Sequence, residues 1–123
     1  MTDVTGFGLL GHLVEMCEGS NLNAEIEFSK VPKILEAEAY RLQQAIPGGT
    51  NRNFDSYGHK VGPLTDEQKH YLCDPQTSGG LMVAVSPENR AEVLEIFEKF
   101  GLHLEPFGKL TKATGATERI QVK

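Results

Sequence analysis

The clearest pattern of apolar and polar positions lies near the start of the chain, where apolar residues recur at the spacing of an α-helix. Apolar side chains fall on one stripe, at Leu9, Leu10, Leu13, Val14 and Cys17. Polar side chains fall on the opposite stripe, at His12, Glu15 and Glu18. We therefore predict a helix from about Gly6 to Glu18, which Gly19 ends.

The next two segments change period. Asn23 to Phe28 alternates polar and apolar residues, which predicts a strand. Pro32 opens a second helical stretch, which ends at Pro47-Gly48-Gly49, and its apolar stripe is Ile34, Leu35, Ala39 and Leu42. Thr50 to Pro63 shows no regular period, so we predict an irregular segment there.

The second half of the chain has more distinct boundaries. Thr65 and Gln68 have the spacing of a capping box, which predicts a short helix to about Leu72 that stops before Pro75. After the loop Asp74 to Gly80, the apolar run Leu81 to Val85 predicts a buried strand.

Ser86-Pro87-Glu88 is a typical helix start, and Gly101 marks the stop. One face of this helix is apolar, at Val93, Leu94, Ile96, Phe97 and Phe100. Two further strands are predicted at Leu102 to Leu110 and Glu118 to Val122. The order of elements predicts an α+β layered domain, with helices packed on a mixed or antiparallel sheet.

Composition narrows the functional classes. The chain has 123 residues, which suits one domain, and a net charge of −5 with scattered basic residues, which disfavours direct binding of nucleic acid. Two cysteines without a CxxC pair suit free thiols in a reducing cytosol. No apolar run reaches the length of a membrane span, and the start lacks a leader pattern. We therefore expect a cytoplasmic location and no membrane partner.

The segment Thr2 to Gly8 is the first candidate for chemistry. Asp3 offers a hard oxygen ligand for Mg²⁺, and Thr5 and Gly6 precede a helix N-terminus, where phosphate groups bind well. The alternative is a helix cap without a ligand, because caps use the same residue types. Spacing alone favours the cap.

Two further segments break the core pattern. Asp74 to Gly80 ends in paired glycines, which indicate close approach of another backbone or of an anion. In Pro47 to Asn53, Arg52 is a candidate for neutralising a phosphate. For both segments the alternative is a structural connection that binds no ligand.

The histidines lack metal-like spacing, and neither cysteine has the neighbours of an activated nucleophile, so structural roles are favoured for both residue types.

Together these three segments resemble the selenophosphate synthetases (selenide, water dikinases). The likeness is carried by Asp3-Val4-Thr5-Gly6-Phe7-Gly8-Leu9-Leu10-Gly11-His12-Leu13, by Pro47-Gly48-Gly49-Thr50-Asn51-Arg52-Asn53 and by Leu72-Cys73-Asp74-Pro75-Gln76-Thr77-Ser78-Gly79-Gly80-Leu81, in that order. The first motif is shared loosely with the wider superfamily of aminoimidazole ribonucleotide synthetase.

The resemblance implies a fold and a reaction. The family makes selenophosphate, AMP and orthophosphate from ATP, water and selenide, for selenocysteine and selenium-modified tRNA. Its C-terminal domain is an α+β layered fold, partly ferredoxin-like. An acid of this domain joins acids of the N-terminal domain around Mg²⁺, a role that falls to Asp3. Thr5, Gly6 and Arg52 are the implied phosphate neighbours, and the full-length enzyme is implied to be a homodimer.

We therefore expect residues 1–123 to form a single C-terminal domain, without the ATP-binding catalytic domain that precedes it in the family. The family's nucleophile, Cys or selenocysteine, belongs to that other part, so no catalytic nucleophile is expected here, and this fragment alone is expected to be inactive. Two alternatives stay open: a non-catalytic binding or assembly module of the same fold, and a paralogous small-molecule kinase of the superfamily.

Overall fold

Helix α1 (Gly8–Ser20) lies at the centre of the fold in the computed structural model, which describes residues 1–123. Its buried stripe includes Leu10, Val14 and Cys17, as the sequence pattern predicts. The helix ends two residues later than predicted, because Asn21 adopts the left-handed conformation (φ 51°) and its N–H caps the carbonyls of Cys17 and Glu18. The predicted polar stripe is wrong at His12, which is buried at 7% exposure.

The strands form two small sheets. Strand β2 (Leu22–Ile26) is the middle strand of the larger sheet, antiparallel to β4 (Gly108–Lys112) and parallel to β5 (Ile120–Val122). The second sheet pairs β1 (Thr2–Asp3) with β3 (Leu81–Met82) in antiparallel register, with Asp3 opposite Leu81. A mixed sheet and an antiparallel sheet with helices confirm the α+β class.

Four more helices follow α1, and they are α2 (Ala37–Leu42), α3 (Gly48–Tyr57), α4 (Asp66–Leu72) and α5 (Arg90–Lys99). Helix α4 starts as predicted, because the Thr65 hydroxyl accepts from the N–H of Gln68 at 3.1 Å while the Gln68 amide oxygen accepts from the N–H of Thr65 at 2.9 Å. None of the helices is both long and apolar enough to span a membrane.

The prediction of an irregular segment at Thr50 to Pro63 is wrong. Residues Gly48–Tyr57 form α3, and a 3₁₀ turn follows at Gly58–Lys60. Pro47-Gly48-Gly49 therefore begins a helix here, and Pro47 occupies the N-cap position, where its missing N–H costs nothing. The pattern missed α3 because only Thr50 and Tyr57 of this helix are buried, which leaves no apolar stripe to detect.

The core excludes several apolar residues that the sequence pattern placed inside it. Leu35 of the predicted second helical stretch is 90% exposed and lies before α2, and Phe100 at the end of α5 is 80% exposed. The predicted buried strand at Leu81 to Val85 is wrong beyond Met82, and Leu81 itself is 66% exposed. The last two strands begin later than predicted, at Gly108 and Ile120. The buried core therefore lies around α1, β2 and α4.

Candidate functional site

A cleft of about 230 Å³ opens where the start of the chain meets the loop before β3. Its lining comes from two of the segments singled out in the sequence, and consists of Asp3, Val4, Thr5, Thr77, Ser78, Gly79, Gly80 and Leu81. The fold thus brings the first and the last of the three candidate segments together, although more than 70 residues separate Asp3 from Thr77.

Backbone hydrogen bonds fix the two walls of the cleft against each other. The N–H of Val4 donates to Gly80 at 2.8 Å, and the N–H of Gly79 donates back to Val4 at 3.0 Å. The N–H of Gln76 donates to the carbonyl of Thr5 at 3.1 Å. A Cβ at Gly79 would lie 2.8 Å from the Val4 carbonyl oxygen, so close backbone approach explains this glycine.

Helix α3 holds the cleft from behind through two side chains: Asn53, which belongs to the candidate segment Pro47 to Asn53, and Tyr57, for which no role was predicted. The Asn53 amide donates to the carbonyls of Gly6 (2.8 Å), in the opening segment, and of Cys73 (2.9 Å), directly before the loop Asp74 to Gly80. One turn later, the Tyr57 hydroxyl donates to the carbonyl of Phe7 at 2.6 Å. The resemblance motif contains Asn53 but not Tyr57, and the i, i+4 spacing of the two residues has meaning only once the segment is known to be a helix.

Thr5 is fixed by the buried His12. The N–H of Thr5 donates to Nε2 of His12 at 3.0 Å, and the Thr5 hydroxyl lies 3.1 Å from the same nitrogen. Because a backbone N–H can only donate, Nε2 is an acceptor, and the proton of the neutral ring is on Nδ1, 3.4 Å from the Glu15 carboxylate. His12 therefore has a structural role, and the Thr5 hydroxyl is already engaged.

The predicted phosphate neighbours differ in their placement. A Cβ at Gly6 would meet no atom within 4 Å, so the space beside it is open to a ligand. Gly8 is instead required by its backbone, since its φ is +72° and an added Cβ would lie 2.8 Å from the Cys73 carbonyl carbon. Arg52 lies exposed on α3 and does not line the cleft, so the structure does not bring it to Asp3.

Asp3 lies exposed on the rim of the cleft and takes part in none of the chain's ion pairs. No three His, Cys, Asp or Glu side chains come together as a set that could hold a metal ion. A free carboxylate beside hydroxyl groups fits Mg²⁺ as one ligand of a shared site, because Mg²⁺ commonly takes one or two carboxylates together with waters and phosphate oxygens.

Burial shifts the pKa of two thiols and one carboxyl group. Burial raises the pKa of the Cys73 and Cys17 thiols above the ordinary range, so both stay protonated and neither is an activated nucleophile. Burial also raises the pKa of Asp74, while the Gln76 amide, which donates to this carboxylate, acts in the opposite direction. The structure thus places a carboxylate and hydroxyl groups at the cleft, and no reactive thiol.

Comparison with known proteins finds a family model that matches the chain and relatives that are similar to it. Residues 1–121 match the family model for the AIR synthase related protein, C-terminal domain. The chain is 59% identical over 112 residues to a selenide, water dikinase of Pseudomonas putida, covering 91% of the chain and 33% of that relative.

Two further relatives carry the same name. A selenide, water dikinase of Haemophilus influenzae is 54% identical over 123 residues, which are 100% of the chain and 35% of the relative. The relative from Yersinia pestis is 51% identical over 122 residues, or 99% of the chain and 35% of the relative. The chain thus spans about a third of the length of the curated relatives it matches. On the match over nearly all of its residues, the chain belongs to the family of AIR synthase related protein C-terminal domains.

Proposed function

We propose that the chain is the C-terminal domain of a selenophosphate synthetase, the enzyme that converts ATP, water and selenide into selenophosphate, AMP and orthophosphate. The observation that carries this proposal is the cleft in which Asp3 faces the Thr77 to Gly80 loop. Relatives named selenide, water dikinase at 51–59% identity support the assignment.

In this proposal Asp3 supplies one carboxylate to a Mg²⁺ site that acids of a preceding domain complete. Bound Mg²⁺ would neutralise phosphate charge and orient the phosphate oxygens for transfer. The bonds from Thr5 to His12 and from Asn53 to Gly6 hold the segment that follows Asp3 in one geometry. The open space at Gly6 leaves room for a phosphate there, and Arg52 would act only on a substrate or domain that reaches α3.

One carboxylate cannot build the multi-metal site that phosphoryl transfer from ATP uses. We therefore propose that the chain has no dikinase activity alone, and that it works in the cytoplasm as part of a homodimeric enzyme. Incubation of the chain with ATP, Mg²⁺ and selenide should produce no AMP above a blank, and AMP formation by the chain alone would contradict this statement.

A chimera tests the proposal directly. The C-terminal third of the Pseudomonas putida relative is replaced by this chain, and selenide-dependent formation of AMP and orthophosphate is measured. We expect turnover in the chimera and at least about a tenfold loss in its Asp3→Ala variant, because a metal ligand is removed and even the loss of groups that only support such ligands costs about 10–100-fold. Asp55→Ala, which removes an exposed carboxylate of α3, is the matched control and should keep turnover.

The outcomes also separate the alternatives. A folded chimera without selenide-dependent turnover would overturn the proposal. ATP consumption with another small molecule in place of selenide would instead identify a paralogous kinase. Full turnover in the Asp3→Ala chimera would remove the metal role of Asp3 and leave the opening segment as a helix entrance.

A further inference from the structure

We propose that Thr77, Ser78 and Gly80 form an oxyanion site that contacts a phosphoryl group or orthophosphate across the cleft from Asp3. This inference rests on the proposed function and assigns a second wall to the same site. The predicted phosphate neighbours all lie outside this loop, in the opening segment and on α3.

The loop presents polar groups that nothing in the chain satisfies. The backbone N–H groups of Thr77, Ser78 and Gly80 donate to no acceptor within the protein. All three residues are exposed and line the cleft. Thr77 and Ser78 add hydroxyl groups that take part in no side-chain hydrogen bond, in contrast to Thr5, whose hydroxyl already contacts His12. Adjacent free N–H groups in a turn form a concavity that binds anions.

The loop is also held in place without using these donors. Its fixed bonds come from the neighbouring N–H groups of Gln76 and Gly79, which donate to Thr5 and Val4. The carbonyl of Gly80 accepts from Val4, while its own φ of +88° turns the following peptide and an added Cβ would meet only open space. Because the anchoring bonds of Gln76 and Gly79 flank the free donors of Thr77 and Ser78, an oxyanion would meet a loop that is already held and would break no internal bond.

The charge of the cleft determines whether a phosphate binds with or without a cation. Asp3 lies in the same cleft as the free donors, and no Lys or Arg lines it. A phosphate alone would therefore be repelled by the carboxylate, whereas a Mg²⁺ ion shared between Asp3 and the phosphate would reverse the sign of that interaction. The site should consequently bind phosphate more tightly when the divalent cation is present.

Amide NMR of the ¹⁵N-labelled chain tests this site without any need for activity. Inorganic phosphate is titrated with and without Mg²⁺, and a parallel titration uses ATP with Mg²⁺. We expect saturable shifts of the Thr77, Ser78 and Gly80 amides with Mg²⁺, and binding at least about fivefold weaker without it. Shifts with orthophosphate identify a site for the free phosphate, and shifts with ATP alone identify a site for the nucleotide's phosphates. Both support an oxyanion site.

Variants separate the loop from its surroundings. The double variant Thr77→Val/Ser78→Ala removes both hydroxyls and should weaken phosphate binding about tenfold, since two hydrogen bonds are lost. Ser56→Ala removes an exposed hydroxyl from α3 and should leave binding unchanged. Asp3→Asn should abolish the dependence on Mg²⁺.

The inference is overturned if phosphate with Mg²⁺ leaves the three loop amides unshifted, or if Ser56→Ala weakens binding as much as the double variant does. The wild-type titration decides this even if the variants fail to fold. Unshifted loop amides together with an active chimera would overturn this inference and leave the proposed function intact. Shifted loop amides together with a folded but inactive chimera would support this inference and overturn the proposed function.

Discussion

The side-chain amide of Asn53 donates to the backbone carbonyl of Gly6 at 2.8 Å. The same nitrogen donates to the carbonyl of Cys73 at 2.9 Å, so a single side chain ties the opening segment to the loop before β3. Asn53 makes no side-chain hydrogen bond to Asp3 or to the free donors of that loop. It acts on the cleft by fixing the distance between the two walls, which makes it a positioning residue.

We expect Asn53→Ala to lower the free energy of unfolding by about 1–2 kcal/mol, because the partly buried carbonyl of Cys73 and the exposed carbonyl of Gly6 lose their donor. Urea unfolding followed by circular dichroism measures the change. Asn51→Ala is the matched control, since Asn51 is exposed on the same helix and makes no side-chain hydrogen bond, and it should cost less than about 0.5 kcal/mol. Equal losses in the two variants would show that the contact to Gly6 and Cys73 does not stabilise the fold.

Sequence periodicity predicted those elements whose own residues carry the signal. Helix α1 has a stripe that becomes the core, and the residues that start α4 satisfy each other locally. Helix α3 has no such stripe, because Asn53 and Tyr57 hold it through hydrogen bonds to segments distant in sequence. Long-range polar contacts leave no periodic trace, so periodicity missed α3, although its residues up to Asn53 had been singled out by residue type.

Helix α5 shows that periodicity can predict a helix correctly and still not predict its burial. Its apolar face and start signal predicted the helix, yet none of its residues is buried. Periodicity indicates that a segment forms a helix with one apolar face, but the partner of that face is decided by tertiary packing. The same limit applies to Leu35, which was predicted to lie on an apolar stripe and is 90% exposed.

The capping box at the start of α4 offers a local test. Thr65→Ala removes the hydroxyl that accepts from Gln68, and we expect a loss of about 1 kcal/mol in unfolding free energy. Thr117→Ala, at an exposed position with no side-chain hydrogen bond, should change stability by less than about 0.5 kcal/mol. If Thr65→Ala were as neutral as its control, the reciprocal bonds would have no energetic weight.

Asp74 should make the stability of the domain depend on pH. Burial raises its pKa in the folded state above the ordinary 3.8, so the unfolded chain binds fewer protons at this group. Its contribution to stability therefore falls as pH rises through the interval between the unfolded and the folded pKa, and stays low at neutral pH.

Asp74→Asn removes this titration and keeps an oxygen that can accept from the Gln76 amide. The variant should gain stability relative to wild type between pH 3 and pH 7, and Asp55→Asn, at an exposed acid of α3, is the control. Urea unfolding at several pH values measures the difference. A wild-type advantage that grows toward neutral pH would mean that the charged carboxylate is favoured in the fold, contrary to its burial.

Helix α1 is buried and the α5 segment is exposed, and substituting one large apolar residue in each measures the energetic difference. Leu10 is fully buried, so Leu10→Ala should cost about 2–5 kcal/mol through lost burial and the cavity left behind. Phe100 is 80% exposed, so Phe100→Ala should cost less than about 0.5 kcal/mol although it removes a larger side chain. Urea unfolding of the chain measures both changes in the free energy of unfolding. A loss of several kcal/mol in Phe100→Ala would show that the α5 segment is packed in solution, and that its apolar face has a partner within the chain or in a second copy.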